Sequence, residues 1–582
     1  MAKAILAGDY SLGFPERIAL TYMTNMRRRW HLPILLLLFS IFGLWVWLDL
    51  LAYSGATVSG IVLDGEGPVA GARVRARATG NLTFADDAGR FTLSDLTPGE
   101  EVEITAWAEG YYIASVKVTP TLSTPRAPFE PVTNNSLLSA DWVTLTLRPH
   151  HTTDHPDYAW TSPISGTSAG ACGNCHPMIV SQWRDNAHGR AVDNPRFFSL
   201  YQGTDISSTA TISPGYRLDF PGTAGNCANC HAPGLGVDGY LTTNMEDARS
   251  VITAGIHCDF CHKVGGVYLD PATGSIYPNA PGAQSQRLLR PPAGDNIFFG
   301  PYDDIPDPDT YLPLISESQY CAPCHQFSFW GTPIYESYDE WLASPYAAAG
   351  VTCQACHMPP SGDIYFALPE KGGLPHPPET IPSHLQLGAS SQALLQETVT
   401  MTMTARQLGD RIYATVVISN ANAGHHVPTD HPGRHLILTV HALDGQGQEL
   451  RLENGPTVPD WGGAQAGLPG QIFAKVLQDV ETGAFPVTSY WKQTLVLGDN
   501  RLPSMGSDTS IYAFAAPDPG RTVTVAAELR FRRLFQAEMD ARGWGMPDVI
   551  MEQAEATTSI NQWQTVYLPL VTAKSSAVMV GE

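Results

Sequence analysis

The sequence has few basic residues, no second long hydrophobic run and no cysteine outside one repeated motif. Its 34 Lys and Arg residues compare with 56 Asp and Glu residues, for a formal net charge of -22. This balance argues against a nucleic-acid-binding protein and favours partners that present basic surfaces. Because only one N-terminal segment is apolar enough to span a bilayer, the chain is not a polytopic membrane protein.

All the cysteines belong to Cys-x-x-Cys-His pentads. The five pentads are Cys172/Cys175/His176, Cys227/Cys230/His231, Cys258/Cys261/His262, Cys321/Cys324/His325 and Cys353/Cys356/His357. This spacing is typical of c-type haem, in which two thiols bond to the porphyrin and the adjacent histidine binds the iron. Disulfide frameworks do not require these histidines, and structural zinc sites use paired Cys-x-x-Cys units. We therefore predict five covalently bound haem c groups.

The N-terminus predicts export. Residues 1–30 form a basic n-region ending in Arg27-Arg28-Arg29, and residues 31–53 form an apolar segment that we interpret as a transmembrane signal-anchor. The small residues Ser54-Gly55-Ala56 leave a cleaved signal peptide as the alternative. With a retained anchor, the protein is a single-pass cell-membrane protein whose bulk lies on the periplasmic or extracellular side.

Residues 56–148 predict a first β-sandwich. Short strands are expected at Val58–Leu63, Ala72–Ala78, Gly89–Leu93 and Val102–Trp107, because apolar and polar residues alternate between turn signals. The run VSGIVLDGEGPVAGARVRARATGNLTFADDAGRF resembles the carboxypeptidase regulatory-like domain. This resemblance implies a fold and no peptidase activity.

Residues 160–390 predict a multihaem domain rich in loops and short helices. Five porphyrins would share 186 residues, from Cys172 to His357, so the cofactors themselves would form much of the core. Helices are expected at Pro177–Ala191 and Tyr335–Ala343, the second ended by Pro345. The long-short-long-short spacing of the pentads predicts that haems two and three, and haems four and five, form close pairs.

Residues 392–571 predict a second, C-terminal β-sandwich, followed by a tail at 572–582. Strands are expected at Val399–Ala405, Arg411–Ser419, Leu436–Ala442, Ile511–Ala515 and Thr522–Phe531, with a closing strand at Thr565–Val571. The predicted fold class is therefore multidomain: a transmembrane helix, a β-sandwich, the multihaem domain and a second β-sandwich.

The haem region and the second sandwich together resemble a known family. The segments CGNCHPMIVSQWRDNAHGRA, GIHCDFCHKV, YDEWLASPYAAAGVTCQACHMPP, IPSHLQLGA and NANAGHHVPTDHPGRHLILTV are similar to the multihaem c-type cytochromes that include the tetrahaem cytochrome of the hydroxylamine pathway. Family members commonly have glycine after the threonine of the G-H-x-x-P-T motif. This chain has Asp430 there.

The resemblance implies distal iron ligands among the remaining histidines. His188 matches a family motif that supplies a distal ligand, and we assign it to haem one; His384 and His425 are the next candidates. His257 and His376 are weaker ones. His150, His151, His155, His431, His435 and His441 are expected to have other roles. The fourth pentad has no distal candidate near it in sequence, so it is where an open iron is expected if one exists.

Two functional classes remain, with a structural surface role as a third. All five pentads end in His, whereas nitrite reductases of related multihaem type carry one Cys-x-x-Cys-Lys motif. We therefore expect an electron-transfer protein rather than an enzyme acting on nitrite or hydroxylamine. The expected partners are redox proteins, either a membrane quinone-linked complex or another cytochrome.

Overall fold

The computed structural model describes residues 55–121 and 142–561. The predicted n-region, the transmembrane segment 31–53, the strand at 565–571 and the tail lie outside the described residues. Within these two described ranges, no helix is both long and apolar enough to cross a membrane. The domain boundaries given above stay predictions.

Seven strands form two sheets in the N-terminal region. They are β1 (Ala56–Leu63), β2 (Arg73–Ala76), β3 (Leu82–Phe84), β4 (Arg90–Leu96), β5 (Val102–Trp107), β6 (Ala114–Val118) and β7 (Trp142–Thr146). The sheet orders are β4-β1-β7 and β3-β2-β5-β6. Val58, Val62 and Val74 are buried while their neighbours along each strand are more exposed, as the sequence alternation predicts. The region therefore consists of β-sandwich-like sheets.

Contacts between Cα atoms divide the chain into two compact units. Of the described residues, the first unit contains 55–60, 92–102, 117–121 and 142–143. The second unit contains 61–91, 103–116 and 144–561. The pentads and the C-terminal strands all belong to the second unit.

The pentad region is built from short helices joined by loops. The helices are α1 (Pro177–Asp185), α2 (Pro195–Gln202), α3 (Tyr216–Asp219), α4 (Ala228–His231), α5 (Pro233–Gly236), α6 (Met245–Ala248), α7 (Cys258–Cys261), α8 (Ala322–His325), α9 (Ser337–Leu342), α10 (Pro345–Ala348) and α11 (Cys353–His357). Short 3₁₀ helices occur at Cys172–Asn174, Gly282–Ser285, Pro313–Ser316, Ser318–Tyr320, Pro369–Lys371 and Pro378–Thr380. Three two-stranded ladders join β8 (Val264–Val267) to β9 (Gln286–Leu288), β10 (Phe298–Gly300) to β11 (Asp309–Tyr311) and β12 (Phe327–Phe329) to β13 (Thr332–Tyr335).

The two helices predicted in this region are present but shorter than expected. Helix α1 begins at Pro177 and ends at Asp185, because Asn186 adopts an extended backbone. The Asn186 side chain bonds to the Gly189 N–H and to the His384 carbonyl, and such local side-chain bonds compete with helix continuation. Helix α9 begins at Ser337, since Tyr335 still belongs to β13.

The C-terminal region contains two larger sheets and two helices. Its elements are α12 (Gln392–Thr398), β14 (Thr400–Leu408), β15 (Arg411–Ser419), β16 (His435–Asp444), β17 (Leu452–Asn454), β18 (Gly470–Asp479), β19 (Thr494–Asp499), β20 (Ser507–Ala515), β21 (Thr522–Arg532), α13 (Gln536–Arg542) and β22 (Val549–Ser559), with a 3₁₀ helix at Asp460–Gln465. The sheet orders are β14-β15-β20-β17 and β19-β18-β16-β21-β22. One continuous apolar cluster takes side chains from both sheets, including Ile412, Leu438 and Val525.

Buried charges connect helix α9 of the pentad region to the C-terminal sheets. The Arg501 guanidinium lies 2.7 Å from a Glu340 carboxylate oxygen and 2.7 Å from one of Asp499. Lys475 pairs with Glu336 at the start of the same helix. Glu340 and Arg501 are almost fully buried, so this ion pair lies in the interior and fixes the orientation of the two regions.

Candidate functional site

Each pentad folds as a single helical turn. The backbone N–H of the histidine donates to the carbonyl of the first cysteine, four residues earlier, at 2.9 Å in the first three pentads and 3.2 Å in the fourth. Residues three and four apart lie on the same helix face, so one face presents both thiols and the imidazole. All ten cysteines are free thiols. This is the arrangement that attachment of one porphyrin to each turn requires.

Cys175 differs from the second cysteine of every other pentad. The first pentad begins as the 3₁₀ helix Cys172–Asn174, and Cys175 lies just after the end of that helix. Its N–H donates to the Cys172 carbonyl at 3.1 Å, and its own carbonyl accepts the Leu368 N–H at 2.8 Å. Its role in haem attachment stays a prediction that rests on the pentad spacing. The corresponding cysteines of the other pentads lie inside α-helical turns: Cys230, Cys261, Cys324 and Cys356.

Thiols of different pentads lie beside each other. In three cysteine pairs, one thiol lies close enough to shift the pKa of the other: Cys172 and Cys258, Cys230 and Cys324, and Cys321 and Cys353. Cys175 takes no part in these three contacts. The first pentad therefore neighbours the third, and the fourth neighbours both the second and the fifth.

These contacts test the predicted haem pairs. The prediction that haems four and five are close agrees with them. For the second pentad the contact is to the fourth rather than to the third, because a chain folded around cofactors brings together pentads that are distant in sequence.

Four of the five pentad histidines turn Nδ1 towards an acceptor in the protein. The bonds from Nδ1 run to backbone carbonyls for three of them: His176 to Phe366 at 2.8 Å, His262 to Phe299 at 2.6 Å, and His357 to Leu387. Nδ1 of His325 instead lies 3.5 Å from a carboxylate oxygen of Asp430. When Nδ1 donates a proton to such an acceptor, Nε2 is left to bind a metal.

Two other histidines stand opposite pentad histidines. The ring centres of His188 and His325 are 6.2 Å apart, and those of His357 and His425 are also 6.2 Å apart. Nδ1 of His188 bonds to the Gln386 side-chain oxygen, and Nδ1 of His425 lies 2.8 Å from the His426 carbonyl. In both pairs these protein contacts involve Nδ1, so Nε2 of each histidine is the atom that could bind a metal.

The spacing of these pairs fits a shared iron. Two imidazoles that bind one metal ion from opposite sides, with about 2 Å from each nitrogen to the metal, have ring centres about 6 Å apart. The residues thus suit haem four between His325 and His188, and haem five between His357 and His425. His188 was assigned from the sequence to haem one. The structure places it opposite the histidine of the fourth pentad instead.

Burial favours the neutral form of three candidate ligands, His188, His231 and His384. Burial and the neighbouring His325 lower the pKa of His188 to about 4, and burial together with His188 lowers the pKa of His231 to about 4. Burial also lowers the pKa of His384 to about 4. A neutral imidazole is the form that binds a metal ion, so these groups need not lose a proton at neutral pH.

His384 lies near the first and third pentads. Its pKa responds first to burial and then to the nearby His262, with a smaller effect from His176. Its backbone is held by helix α1 and the residue after it: the His384 N–H donates to Gln182 at 2.8 Å, and the Asn186 amide donates to the His384 carbonyl. Nδ1 lies 3.2 Å from the Pro382 carbonyl. His384 stays a predicted distal ligand for one of these two haems.

The weaker candidates His257 and His376 differ in their ring bonds, as do His431 and His435, for which other roles were expected. Nδ1 of His257 accepts the Phe260 N–H at 3.3 Å, and Nδ1 of His431 accepts the Gly433 N–H at 3.1 Å. An accepting Nδ1 places the ring proton on Nε2, which then cannot bind iron. His376 packs against Tyr302 and Phe366, and His435 packs against Trp461 and Phe535 in the C-terminal region. His376 stays a predicted distal ligand, and Nε2 of both His376 and His435 is buried without a partner in the described residues.

The side chains of two residues contact Nδ1 of a candidate iron ligand, and neither residue could be identified as functional from the sequence. Gln386 orients His188, and it follows the IPSH segment without any spacing that marks its role. Asp430 faces His325. Burial lowers the pKa of His325, but the hydrogen bond and the negative charge of Asp430 outweigh burial and raise this pKa to about 9. The only sequence signal for Asp430 was its departure from the glycine that the family commonly has.

Comparisons with known proteins match two segments of the chain. Residues 57–127 match the carboxypeptidase regulatory-like domain, and residues 171–263, which hold the first three pentads, match cytochrome c554 and c-prime. No curated protein matches.

Among solved structures, a penta-heme cytochrome c552 from Thermochromatium tepidum is 22% identical, with a TM-score of 0.49, and the match covers 66% of this chain and 97% of that chain. A PapD-like domain of human CEP192 is 9% identical with a TM-score of 0.13, and the match covers 30% of this chain and 95% of that domain. The resemblance predicted from the sequence is confirmed: the chain is similar to a multihaem c-type cytochrome and carries a carboxypeptidase regulatory-like domain before its first pentad.

Proposed function

We propose that the chain binds five haem c groups and relays electrons through them. The observation that carries this proposal is the pair of opposed histidines at the fourth and fifth pentads, each with ring centres 6.2 Å apart. A haem iron with two imidazole ligands carries one electron and has no vacant coordination position. The protein side chains hold that arrangement through the Nδ1 bonds, so little has to move when an electron arrives or leaves.

The thiol contacts support a relay. Because thiols of pentads one and three, two and four, and four and five lie beside each other, their porphyrins would be neighbours. The fourth pentad touches two others and would be a branch or midpoint of the series. Electron transfer between such neighbours requires no large movement of the protein.

The location and partners extend this proposal. An anchor at residues 31–53 would tether the protein to the cell membrane, with the haems on the periplasmic or extracellular side, where haem c is attached. The net charge of -22 favours a basic surface on the redox partner, whether that is a quinone-linked complex or another cytochrome. Protease treatment of intact cells or spheroplasts, followed by detection of the haem-bearing fragment, tests the location. Protection of the whole chain in spheroplasts would contradict it.

The haem count is tested by intact mass and by the pyridine haemochrome assay. Expression with a c-haem maturation system should give five covalent haems per chain, because every pentad supplies two thiols and a histidine. A mass that corresponds to four or fewer porphyrins would remove at least one pentad from the proposal.

Ligation is tested by substituting the opposed histidines. His188→Ala and His425→Ala should each convert one haem from low-spin to high-spin in the electron paramagnetic resonance spectrum, at the fourth and fifth pentads respectively. His441→Ala is the matched control, since His441 pairs with Glu449 on strand β16. An unchanged spectrum for His188→Ala would show that His188 is only a packing residue.

A second candidate function is small-ligand chemistry at the second pentad. Within residues 55–121 and 142–561, no ring contact places another histidine opposite His176, His231 or His262, and His231 stacks on Phe197 with ring centres 4.1 Å apart. His431 lies near it, and Nε2 of His431 is buried without a partner in the described structure. If the chain is an oxidoreductase for small nitrogen compounds, this is a better location than the fourth pentad expected from the sequence.

Carbon monoxide separates the two functions. A relay with two histidines on every iron should bind it slowly and at a small fraction of the haems. Rapid binding to one whole haem equivalent, accelerated or slowed by His431→Ala, together with turnover of nitrite or hydroxylamine, would favour the second function.

A further inference from the structure

Asp430 adopts a backbone conformation that suits glycine. Its φ angle is 61°, in the left-handed region that L-residues other than asparagine and aspartate seldom enter. Aspartate tolerates this conformation better than most residues with a side chain, and here its carboxylate also makes polar contacts to Ser337 and His325.

The Asp430 carboxylate is held in one orientation. One oxygen accepts the Ser337 hydroxyl at 2.6 Å and the Ser337 N–H at 3.3 Å. The other oxygen lies 3.5 Å from Nδ1 of His325. The Asp430 side chain is only 11% exposed, so water screens its charge weakly. Ser337 thus aims the carboxylate at the histidine of the fourth pentad.

This contact distinguishes the fourth pentad from three others. His176, His262 and His357 direct Nδ1 to backbone carbonyls, which carry only a partial negative charge. A carboxylate carries a full charge, and a carboxylate beside Nδ1 makes the imidazole a more basic metal ligand. A more basic ligand stabilises the oxidised iron relative to the reduced iron.

We propose that Asp430 is a positioning residue that lowers the reduction potential of the fourth haem through His325. The inference rests on the proposed function, because it requires haem at this pentad. The fourth pentad touches the second and the fifth through its thiols, so the effect would place a low-potential haem in the middle of the relay. Electrons would then rest on the haems at either side rather than on the fourth.

Asp430→Asn and Asp430→Gly test the proposal in the full-length, haem-loaded protein. Both residues tolerate a left-handed backbone, so both variants should fold, and glycine relieves the strain as well. Potentiometric titration with dithionite should show one haem of five becoming easier to reduce. We expect at least a tenfold change in its reduction equilibrium constant, which is about 59 mV for one electron.

Two controls isolate the mechanism. Asp518→Asn removes one negative charge at a side chain that is 89% exposed, and it should leave all five potentials unchanged. Ser337→Ala keeps the Asp430 charge but removes the hydroxyl that aims it, so its shift should have the same sign and be smaller. A titration of Asp430→Asn and Asp430→Gly that superimposes on that of the parent protein would overturn the proposal. Equal shifts of several haems, matched by Asp518→Asn, would also overturn it.

Failure of this inference is distinguishable from failure of the proposed function. If the parent protein carries five haems and the His188→Ala spectrum changes at one haem, the relay stands whatever the Asp430 variants show. If the mass shows no porphyrin on Cys321 and Cys324, the proposed function fails at this pentad and the inference fails with it.

Discussion

The pentad region and the C-terminal sheets are packed in opposite ways. The C-terminal sheets share one continuous apolar cluster whose members alternate along the strands, as in Ile412, Ala414, Val416 and Ile418. The pentad region has only small, separate apolar clusters, such as the one around Phe198 and Met245 and the one around Phe260 and Leu288. Both regions belong to the same compact unit.

This difference shows where each region obtains its stability. Burial of apolar side chains stabilises the C-terminal sheets, which need no cofactor to complete their core. In the pentad region, helices of one or two turns are too short to be stable by themselves, and their apolar clusters are too small to compensate. The covalent porphyrins would supply the missing apolar contacts. Four experiments test this difference between the two regions, in order of decreasing expected effect.

Omission of haem should have the largest effect. Chain made without a haem maturation system should lose hydrogen-exchange protection across residues 172–357, because the pentad turns lose their covalent and iron bonds. Strands β14 to β22 should keep theirs. Hydrogen exchange with mass spectrometry compares the two preparations peptide by peptide. Equal protection of the pentad region in both would show that its protein contacts suffice.

Leu438→Ala should destabilise the C-terminal sheets. Leu438 is fully buried in the shared cluster, and such a truncation costs about 4 kcal/mol. The free energy of unfolding, measured with urea by fluorescence, should fall by this amount, while the haem spectrum stays unchanged below the transition. Leu408→Ala, at a side chain that is 63% exposed, is the matched control and should have little effect.

Glu340→Gln should weaken the connection between the two regions. The substitution removes the negative charge that lies 2.7 Å from the Arg501 guanidinium. The same carboxylate accepts hydrogen bonds from His426 and Thr429. We expect the free energy of unfolding to fall by about 3 kcal/mol. We expect a lower urea midpoint and a changed signal from the fifth haem, since His425 lies in the same turn. The loss in the Glu340→Gln, Arg501→Met double variant should be smaller than the sum of the two single losses, although Arg501 also pairs with Asp499. Additive losses would show that the pair is not coupled.

Acid should have the smallest effect, through Asp303 of the pentad region. Burial raises its pKa, but hydrogen bonds from Arg75 and Arg73 outweigh burial and hold the pKa below its ordinary value. The stabilisation is therefore present above about pH 4 and is lost as the pH falls below that value. Asp303→Asn should cost about 1.5 kcal/mol at pH 6 and less at pH 3. Urea midpoints at the two pH values measure this difference, and an equal loss at both would contradict it.

Several strands could be predicted from alternation alone. Strands β5 and β15 have the predicted bounds, and β1, β14, β16 and β21 differ by a few residues. Period-two burial is a local property, so a single sequence reveals it. Helix α1 was predicted too long, because its end depends on Asn186 bonding to His384, about two hundred residues away. Such a bond leaves no local signal.

The chemistry of haem attachment can be predicted from the pentads alone. Two thiols and a histidine at positions one, four and five of a helical turn must share one face, whatever surrounds the turn. Which histidine lies opposite which pentad depends instead on how the chain folds. His188 lies 137 residues before His325 and twelve after His176, yet its ring faces His325. Opposition across an iron depends on where separate chain segments meet, and sequence distance does not measure that.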